Sequence, residues 1–447
     1  MKIQIKNLGV LKQAEFSLGD ITIICGGNNT GKTYATYALF GFLSSWREVF
    51  SRPAKKGRTT SIKNKVIEQL LNEGVVRINL AEYIEQADRI LENGCQVYTE
   101  QLPEIFAASE DQFAETEFQV ILDAGEIHVL DEYGRRLSSA NADLFSMTKD
   151  KDSLELVVTL LMEKKERTKL PGHVIKKSIE EAIYDIIFSS IFPAPFIAST
   201  ERTGAAIFRK GLERRGYQDY AMPVEKNLEF MEHLEAIVKK RSFIANQHPE
   251  ILADFADIIG GEYTINQNDL LYYVPKGKRV KLSMGESSSA VRSLLNMGFY
   301  LQHVARPNDL LMVDEPELNL HPENQRRVAR LFARLANLGL KVFVTTHSDY
   351  IIKELNTLIM LNHDKPHLKR IAEREGYQQA ELLSAHQLKV YIAEQAKIKL
   401  EGSQRKTLCH TLTPADIDPE FGIESKSFDE TIDTMNRIQE QIVWGEK

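Results

Sequence analysis

Over residues 1 to 20, apolar and polar positions alternate through IQIKNLGVLKQAEF, and the alternation gives way to an unbroken apolar run at Ile21–Cys25. Alternation predicts strands with one face in a core, and a continuous apolar run predicts a strand covered on both faces. A helical stretch, TYATYALFGFL, follows the loop GGNNTGKT. Residues 46–66 are polar and basic and read as a loop around Pro53 and Gly57, and 62–108 have helical spacing. The alternation of 118–137 predicts a β-hairpin turning near Ala124-Gly125. Residues 153–190 read as helical, Ala194–Ala198 as a strand, 223–258 as helices and 262–282 as short strands. From 283 to 350 helix and strand alternate, which predicts an α/β sheet. After 350 come a helix, a strand at Leu388–Ala393 and a final helix near Phe428–Val443. No internal repeat and no long heptad run interrupts this order.

Composition narrows the class. A chain of 447 residues accommodates about three domains, or one large core with a big insertion. With 43% apolar and 27% charged residues and a net charge of -7, it is an ordinary globular chain, neither disordered nor a basic nucleic-acid coat. Cys25, Cys95 and Cys409 are odd in number and far apart, as in a reducing compartment. The most apolar stretch, Ala182–Ala198, is too short to span a bilayer and contains Asp185, Pro193 and Pro195. MKIQIKNLG has no signal-peptide core, so a cytoplasmic protein without membrane contact is expected.

Chemistry enters at Gly26-Gly27-Asn28-Asn29-Thr30-Gly31-Lys32-Thr33, which fits GxxxxGK[ST] between an apolar strand and a helix. Glycines let successive N–H groups curl around phosphates at a helix N-terminus. Lys32 can reach the β- and γ-phosphates, and the Thr33 hydroxyl can ligate Mg²⁺. ATP or GTP binding follows. The apolar strand of Asp309-Leu310-Leu311-Met312-Val313-Asp314-Glu315-Pro316 ends in two acids. Asp314 is placed to hold the Mg²⁺, and Glu315 to orient or deprotonate the attacking water. Leu282-Ser283-Met284-Gly285-Glu286 opens a helix and forms a second anion-binding corner, one that cannot serve the phosphate held by Lys32 unless the chain folds back or a second copy supplies it. The strand Lys341–Thr345 leads to Thr346-His347-Ser348, where His347 can hydrogen-bond the γ-phosphate.

The succession GGNNTGKT, LSMGE, LLMVDEPE and TTHS resembles the ATP-binding-cassette ATPases, and more closely their cytosolic branch of SMC, RecF and OLD-type proteins. Specific matches cover residues 1–40 and 280–350, and DEPELNLHPENQ is similar to that branch rather than to transporters. The resemblance implies an ABC-type head with a mixed sheet, flanking helices and N-terminal antiparallel strands. Its N-terminal lobe would span 1–45, a mainly helical insertion with a β-hairpin 46–195, a C-terminal lobe 196–350, and an α/β extension 351–447. It also implies head-to-head dimers hydrolysing ATP, in which Ser283 and Gly285, with Glu286 beside them, contact the nucleotide on the other subunit's Gly26, Asn28, Asn29, Thr30, Gly31, Lys32, Thr33, Asp314 and Glu315.

Two departures matter. The glutamine that follows the phosphate loop in this family has no evident counterpart; Ser199-Thr200-Glu201-Arg202-Thr203-Gly204 resembles a turn of smaller defence-linked members, and its charged pair faces either the nucleotide or solvent. Lys32 and Asp314 lie 314 − 32 = 282 positions apart, yet the insert has no coiled-coil pattern. The chain therefore looks like the stand-alone ATPase subunits of bacterial anti-phage systems such as Septu and PARIS. That likeness implies a separate nuclease or toxin as partner and a phage protein as trigger, with a RecF-like DNA-repair ATPase as the alternative. A built-in TOPRIM nuclease would need Glu401 and the Asp416-Ile417-Asp418 pair, but HTLTPA ahead of them does not read as a strand. Arg326, Arg330 and Arg334 read as a solvated helix face opposite Val328, Leu331, Phe332 and Leu335. Residues 47–65 and Arg209-Lys210…Arg214-Arg215 are the better candidates for nucleic acid.

Overall fold

The computed structural model describes residues 1–52, 62–123, 125–138, 143–162, 164–167, 171–212, 220–266, 270–423 and 434–442. The chain falls into two units, one of residues 9–40 with 195–447 and the other of 1–8 with 41–194.

The larger unit is built on a mixed sheet in the order Leu11–Ser17, Lys406–Pro414, Leu388–Lys399, Ile21–Cys25, Lys341–Thr346, Leu310–Asp314, Pro195–Ala198. The last five run parallel, and Lys406–Pro414 returns antiparallel to Leu388–Lys399. Every side chain of Ile21–Cys25 and of Leu310–Asp314 is buried, as expected of strands with helices over both faces. Helix Pro322–Asn337 presents Val328, Leu331, Phe332 and Leu335 to the core, each at most 2% exposed. The sequence-based α/β class with a mixed sheet and flanking helices is borne out.

Because parallel strands share a direction, their carboxyl ends share an edge, where ligands of such sheets bind. Cys25 is level with Thr346 and with Ile392, Asp314 with Thr345, and Val313 with Ala198. This register gathers the phosphate loop, the acid pair, His347 and the Ser199 turn at one edge. The segment past residue 350 supplies the strand Leu388–Lys399 beside Ile21–Cys25. The expectation that HTLTPA is not a strand is corrected: Thr and Leu alternate there, and Gly402 at φ +74° lets the chain reverse after Glu401.

The smaller unit pairs Lys2–Leu8 antiparallel with Glu117–Ile121, and holds a four-stranded antiparallel sheet of Val75–Asn79, Glu155–Leu160, Asp143–Lys149 and Tyr133–Ser138. The hairpin expected over 118–137 does not form. Its two halves find partners distant in sequence, because alternation marks a face and not a neighbour; Ala124 at its expected turn lies outside the described residues. Two strands stand where helix was expected. Helix Asn64–Glu73 is stopped by Gly74 in the left-handed region (φ +85°), and Val75–Asn79 and Glu155–Leu160 then alternate in burial. The core of this unit is aromatic: Phe42, Trp46, Phe50, Tyr98, Phe118, Phe188 and Phe192 meet mostly edge to face at centroid distances from 4.8 Å (Tyr98–Phe118) to 6.4 Å (Trp46–Phe188).

Among the described residues no helix is long and apolar enough to cross a membrane. Residues 434–442 of the expected final helix are helical; its remaining residues lie outside the described ones.

Candidate active site

The strand Ile21–Cys25 runs into the loop, and helix Lys32–Phe50 begins at its lysine. Gly26 has φ +142°, and a Cβ there would stand 2.4 Å from the Ala393 carbonyl oxygen; Gly31 has φ +101°, and its Cβ would meet Leu11 Cγ at 2.6 Å. Only glycine fits at either position, so the turn cannot open without moving neighbouring strands. Thr30 Oγ1 donates to the Gly27 carbonyl at 2.9 Å, which tightens the turn. Lys32 Nζ donates to the carbonyls of Gly26 (2.9 Å) and Gly27 (2.7 Å) and is 6% exposed. Burial lowers its pKa, against the opposing pull of Glu315, Asp314 and Glu317. Asn28, Asn29 and Thr33 are exposed along the loop.

Opposite the lysine stands a set of carboxylates. Asp314 is 1% exposed; its Oδ1 accepts from Thr345 Oγ1, while its Oδ2 is buried without a hydrogen-bond partner. Burial pushes its pKa up to about 6, with the Thr345 bond lowering it and Glu315 adding to the rise. Glu315 takes φ +50°, an unusual conformation for a residue with a Cβ and one that concentrates at functional sites. Its N–H donates to the Thr345 carbonyl at 3.0 Å. Glu317, 7% exposed, accepts from Thr346 Oγ1 and from the His347 N–H, both at 2.8 Å, and its Oε2 is also buried and unpartnered. The His347 ring lies between the acids, with Nδ1 3.6 Å from Glu315 Oε1 and 3.5 Å from Glu317 Oε1.

The Ser199 turn delivers Arg202 to the same place. Arg202 is 1% exposed and donates from Nη1 to the carbonyls of Ser199 (2.7 Å) and Asp314 (2.6 Å), from Nη2 to Glu315 (2.7 Å) and from Nε to Ser293 (2.7 Å). The alternative of a solvated turn is thereby excluded for Arg202. Glu201 is exposed and accepts from Tyr37 Oη at 3.3 Å.

The Ser283 corner is separate. Glu286 Oε2 accepts from the Ser283 N–H (2.9 Å) and Oγ (2.7 Å), which draws the Glu286 pKa down, and Ser287 Oγ donates to the Ser283 carbonyl at 2.8 Å. A Cβ on Gly285 would meet nothing nearer than Ser283 Oγ at 4.0 Å, so the corner faces open space. Among the described residues, no hydrogen bond or ion pair of Ser283 or Glu286 reaches the phosphate loop or the acids.

Residues 1–352 match the model of the AAA ATPase domain family. The chain belongs to this family. It is therefore an ATPase, and the expected ATP binding is a family property. A stretch of 172 residues is 24% identical to UvrABC system protein A of Thermus thermophilus, covering 38% of this chain and 17% of that protein's length. Among solved structures, the chain is similar to an SMC head bound to the C-winged helix domain of ScpA (TM-score 0.33, 12% identity, 92% of this chain and 97% of the other). It is also similar to the SMC head domain from Thermotoga maritima (TM-score 0.31, 10% identity, 93% and 98%).

Within this AAA ATPase domain the sequence reading missed Glu317, Thr345 and the buried role of Arg202. Glu317 had a signal, the third acid of Asp314-Glu315-Pro316-Glu317. Arg202 had the resemblance of its turn, and Thr345 had none beyond its place near a strand end. The arginine helix is also corrected. Arg326 pairs with Glu354 and Glu323; Arg330 pairs with Glu354 and lies 3.8 Å from the Tyr377 ring; Arg334, 7% exposed, pairs with Asp254. These arginines form a seam between elements and not a solvated face. Arg47 pairs with Asp185 over Trp46, and Arg52 with Glu48. Lys63 and Lys65 are exposed, whereas Lys55, Lys56, Arg58, Arg214 and Arg215 lie outside the described residues, as do the side chains of Arg209 and Lys210.

Proposed function

We propose that the site binds Mg-ATP on the loop Gly26–Thr33 and hydrolyses it with Glu315 as the group that orients the attacking water. The observation that carries this reading is the desolvated Lys32 facing Asp314, Glu315 and Glu317 across one sheet edge. The orphaned, buried Asp314 Oδ2 fits a divalent cation, and the exposed Thr33 hydroxyl is the second ligand offered by the loop. When bound, Mg²⁺ neutralises charge on the β- and γ-phosphates. Lys32 adds a fixed positive charge beside the transferred phosphoryl, in a site dry enough to strengthen it. Glu317 fixes the backbone at His347, whose ring would contact the γ-phosphate in this reading.

Two copies complete each site in this reading, the Ser283–Glu286 corner of one closing over the nucleotide of the other. Support comes from the corner's isolation from its own chain's loop and from the open space at Gly285. The Glu315→Gln variant should bind ATP, hydrolyse it slowly and accumulate as a dimer or higher oligomer; a monomer at saturating ATP would count against the closure.

We further propose that this cytoplasmic ATPase scaffolds a separate nuclease or toxin in an anti-phage system and is triggered by a phage protein. Among the described residues the longest helix between the two halves of the site, Ala87–Phe106, has 20 residues and so reaches about 30 Å. A compact insertion of that kind suits protein contacts better than a long DNA tether. The competing DNA-repair reading would draw on the basic residues of 47–65 and 209–215, of which Arg47 and Arg52 are held in ion pairs. Purification from the native host distinguishes them: an effector protein should travel with the chain, whereas strong salt-dependent duplex affinity without one favours repair.

A further inference from the structure

Arg202 makes more contacts than a capping or surface residue needs. Its planar fork bridges four carbonyls from three places: Ser199 in its own turn, Asp314 and Glu315 at the end of the acid strand, and Ser293 at the end of helix Ser289–Ser293. Two of these carbonyls flank Glu315, the residue held at φ +50°. The guanidinium therefore braces the peptide units on both sides of a strained Cα, while Thr345 holds the Glu315 N–H from below. A left-handed conformation at a glutamate persists only where its surroundings over-determine it.

The fourth contact leads elsewhere. The helix that ends at Ser293 is capped by Ser288, just past the serine-glycine corner. Its Arg292, adjacent to the gripped Ser293, donates to the carbonyls of Met284 (3.1 Å) and Ser287 within that corner. A continuous polar chain thus runs from the corner through Arg292, Ser293 and Arg202 to Glu315. Arg202 is shut off from solvent, and burial lowers its pKa against the pull of Asp314, Glu317 and Glu315. Keeping so large a cation buried has a desolvation cost, which its hydrogen bonds to four carbonyls and the pull of the nearby acids offset.

We infer that Arg202 is a positioning residue for ATP hydrolysis, fixing the conformation of Glu315 and tying it to the corner that closes over the partner's nucleotide. This rests on the proposed roles of Glu315 and Ser283. Misplacing a water-orienting carboxylate by about 1 Å costs on the order of 10²-fold in turnover. Lysine keeps the charge but has no planar fork, so it cannot span the carbonyls of Glu315 and Ser293 together.

The test compares Arg202→Lys, Arg202→Ala and Glu315→Gln in the full-length chain, measuring ATP Kd, kcat, KM and thermal midpoint. Arg202→Lys should keep ATP Kd within about threefold while kcat falls by roughly 10²-fold. Guanidinium chloride at non-denaturing concentration should raise the kcat of Arg202→Ala, and sodium chloride at equal ionic strength should not. In the Glu315→Gln background Arg202→Lys should cost little more, because both act through one group. A folded Arg202→Lys enzyme with unchanged kcat overturns the inference. So does loss of ATP binding in parallel with kcat, or full additivity with Glu315→Gln. Should Glu315→Gln itself leave turnover unchanged, the Glu315 reading fails instead, and the two failures are told apart. If Arg202→Ala does not fold, Arg202→Lys and the additivity test still decide.

Discussion

The loop side of the site and the Ser283 corner are built to opposite specifications. On the loop side Lys32, Asp314 and Glu317 are nearly dry, and two carboxylate oxygens are left buried without partners. At the corner Ser283 and Glu286 satisfy one another in water, and Gly285 faces empty space. Unpaired buried charge is costly, so the loop side stores a demand for a cation and a polyanion. The corner makes no such demand, and its geometry acquires meaning only when something is brought to it. One half of the site is thus a preorganised engine and the other an exposed surface.

That contrast can be broken in four places. Glu315→Gln should reduce turnover by about 10²–10⁴-fold while leaving ATP bound, as measured by single-turnover hydrolysis and a binding isotherm; unaltered turnover would remove Glu315 from the reaction. Lys32→Ala should weaken ATP by about 3 kcal/mol, or roughly 10²-fold in Kd by calorimetry. Gly26→Ala should destabilise the fold by on the order of 1–3 kcal/mol in denaturant titration, since its Cβ meets the Ala393 carbonyl at 2.4 Å, whereas Gly285→Ala should be near neutral for stability.

A further effect changes in size with pH. The Asp314 carboxyl is raised from 3.8 to about 6 in the folded chain, so its contribution to stability is fully present below about pH 4 and is lost as pH rises through about 6. Asp314→Asn should accordingly stabilise the nucleotide-free protein near neutral pH by roughly 3 kcal/mol, have little effect near pH 4, and abolish stabilisation by Mg-ATP. Thermal melts at both pH values check this, and equal effects at the two would refute it.

The same contrast governs what could be read without a structure. The loop and the acid strand were legible because their residue types and spacing are dictated by phosphate geometry, and their strands announce themselves as unbroken apolar runs. The corner was legible as a motif, and its need for either a fold-back or a second copy was read from its place in the chain. Arg202 was the hardest case: a buried arginine after a short strand looks like a surface turn until the carbonyls it serves are known. In the smaller unit, alternation identified strand faces at 118–137 but not partners, and Val75–Asn79 was hidden by helical neighbours despite the stop at Gly74.

The central claim is that an exposed corner on one copy finishes the dry pocket of another. Mixing Ser283→Arg with Lys32→Ala chains, each inactive alone, tests it directly. In half of the resulting dimers one composite pocket keeps both native halves, so the mixture should recover about a quarter of wild-type ATP turnover. A mixture no more active than its two components, under conditions where both chains are folded and associate, would contradict the account.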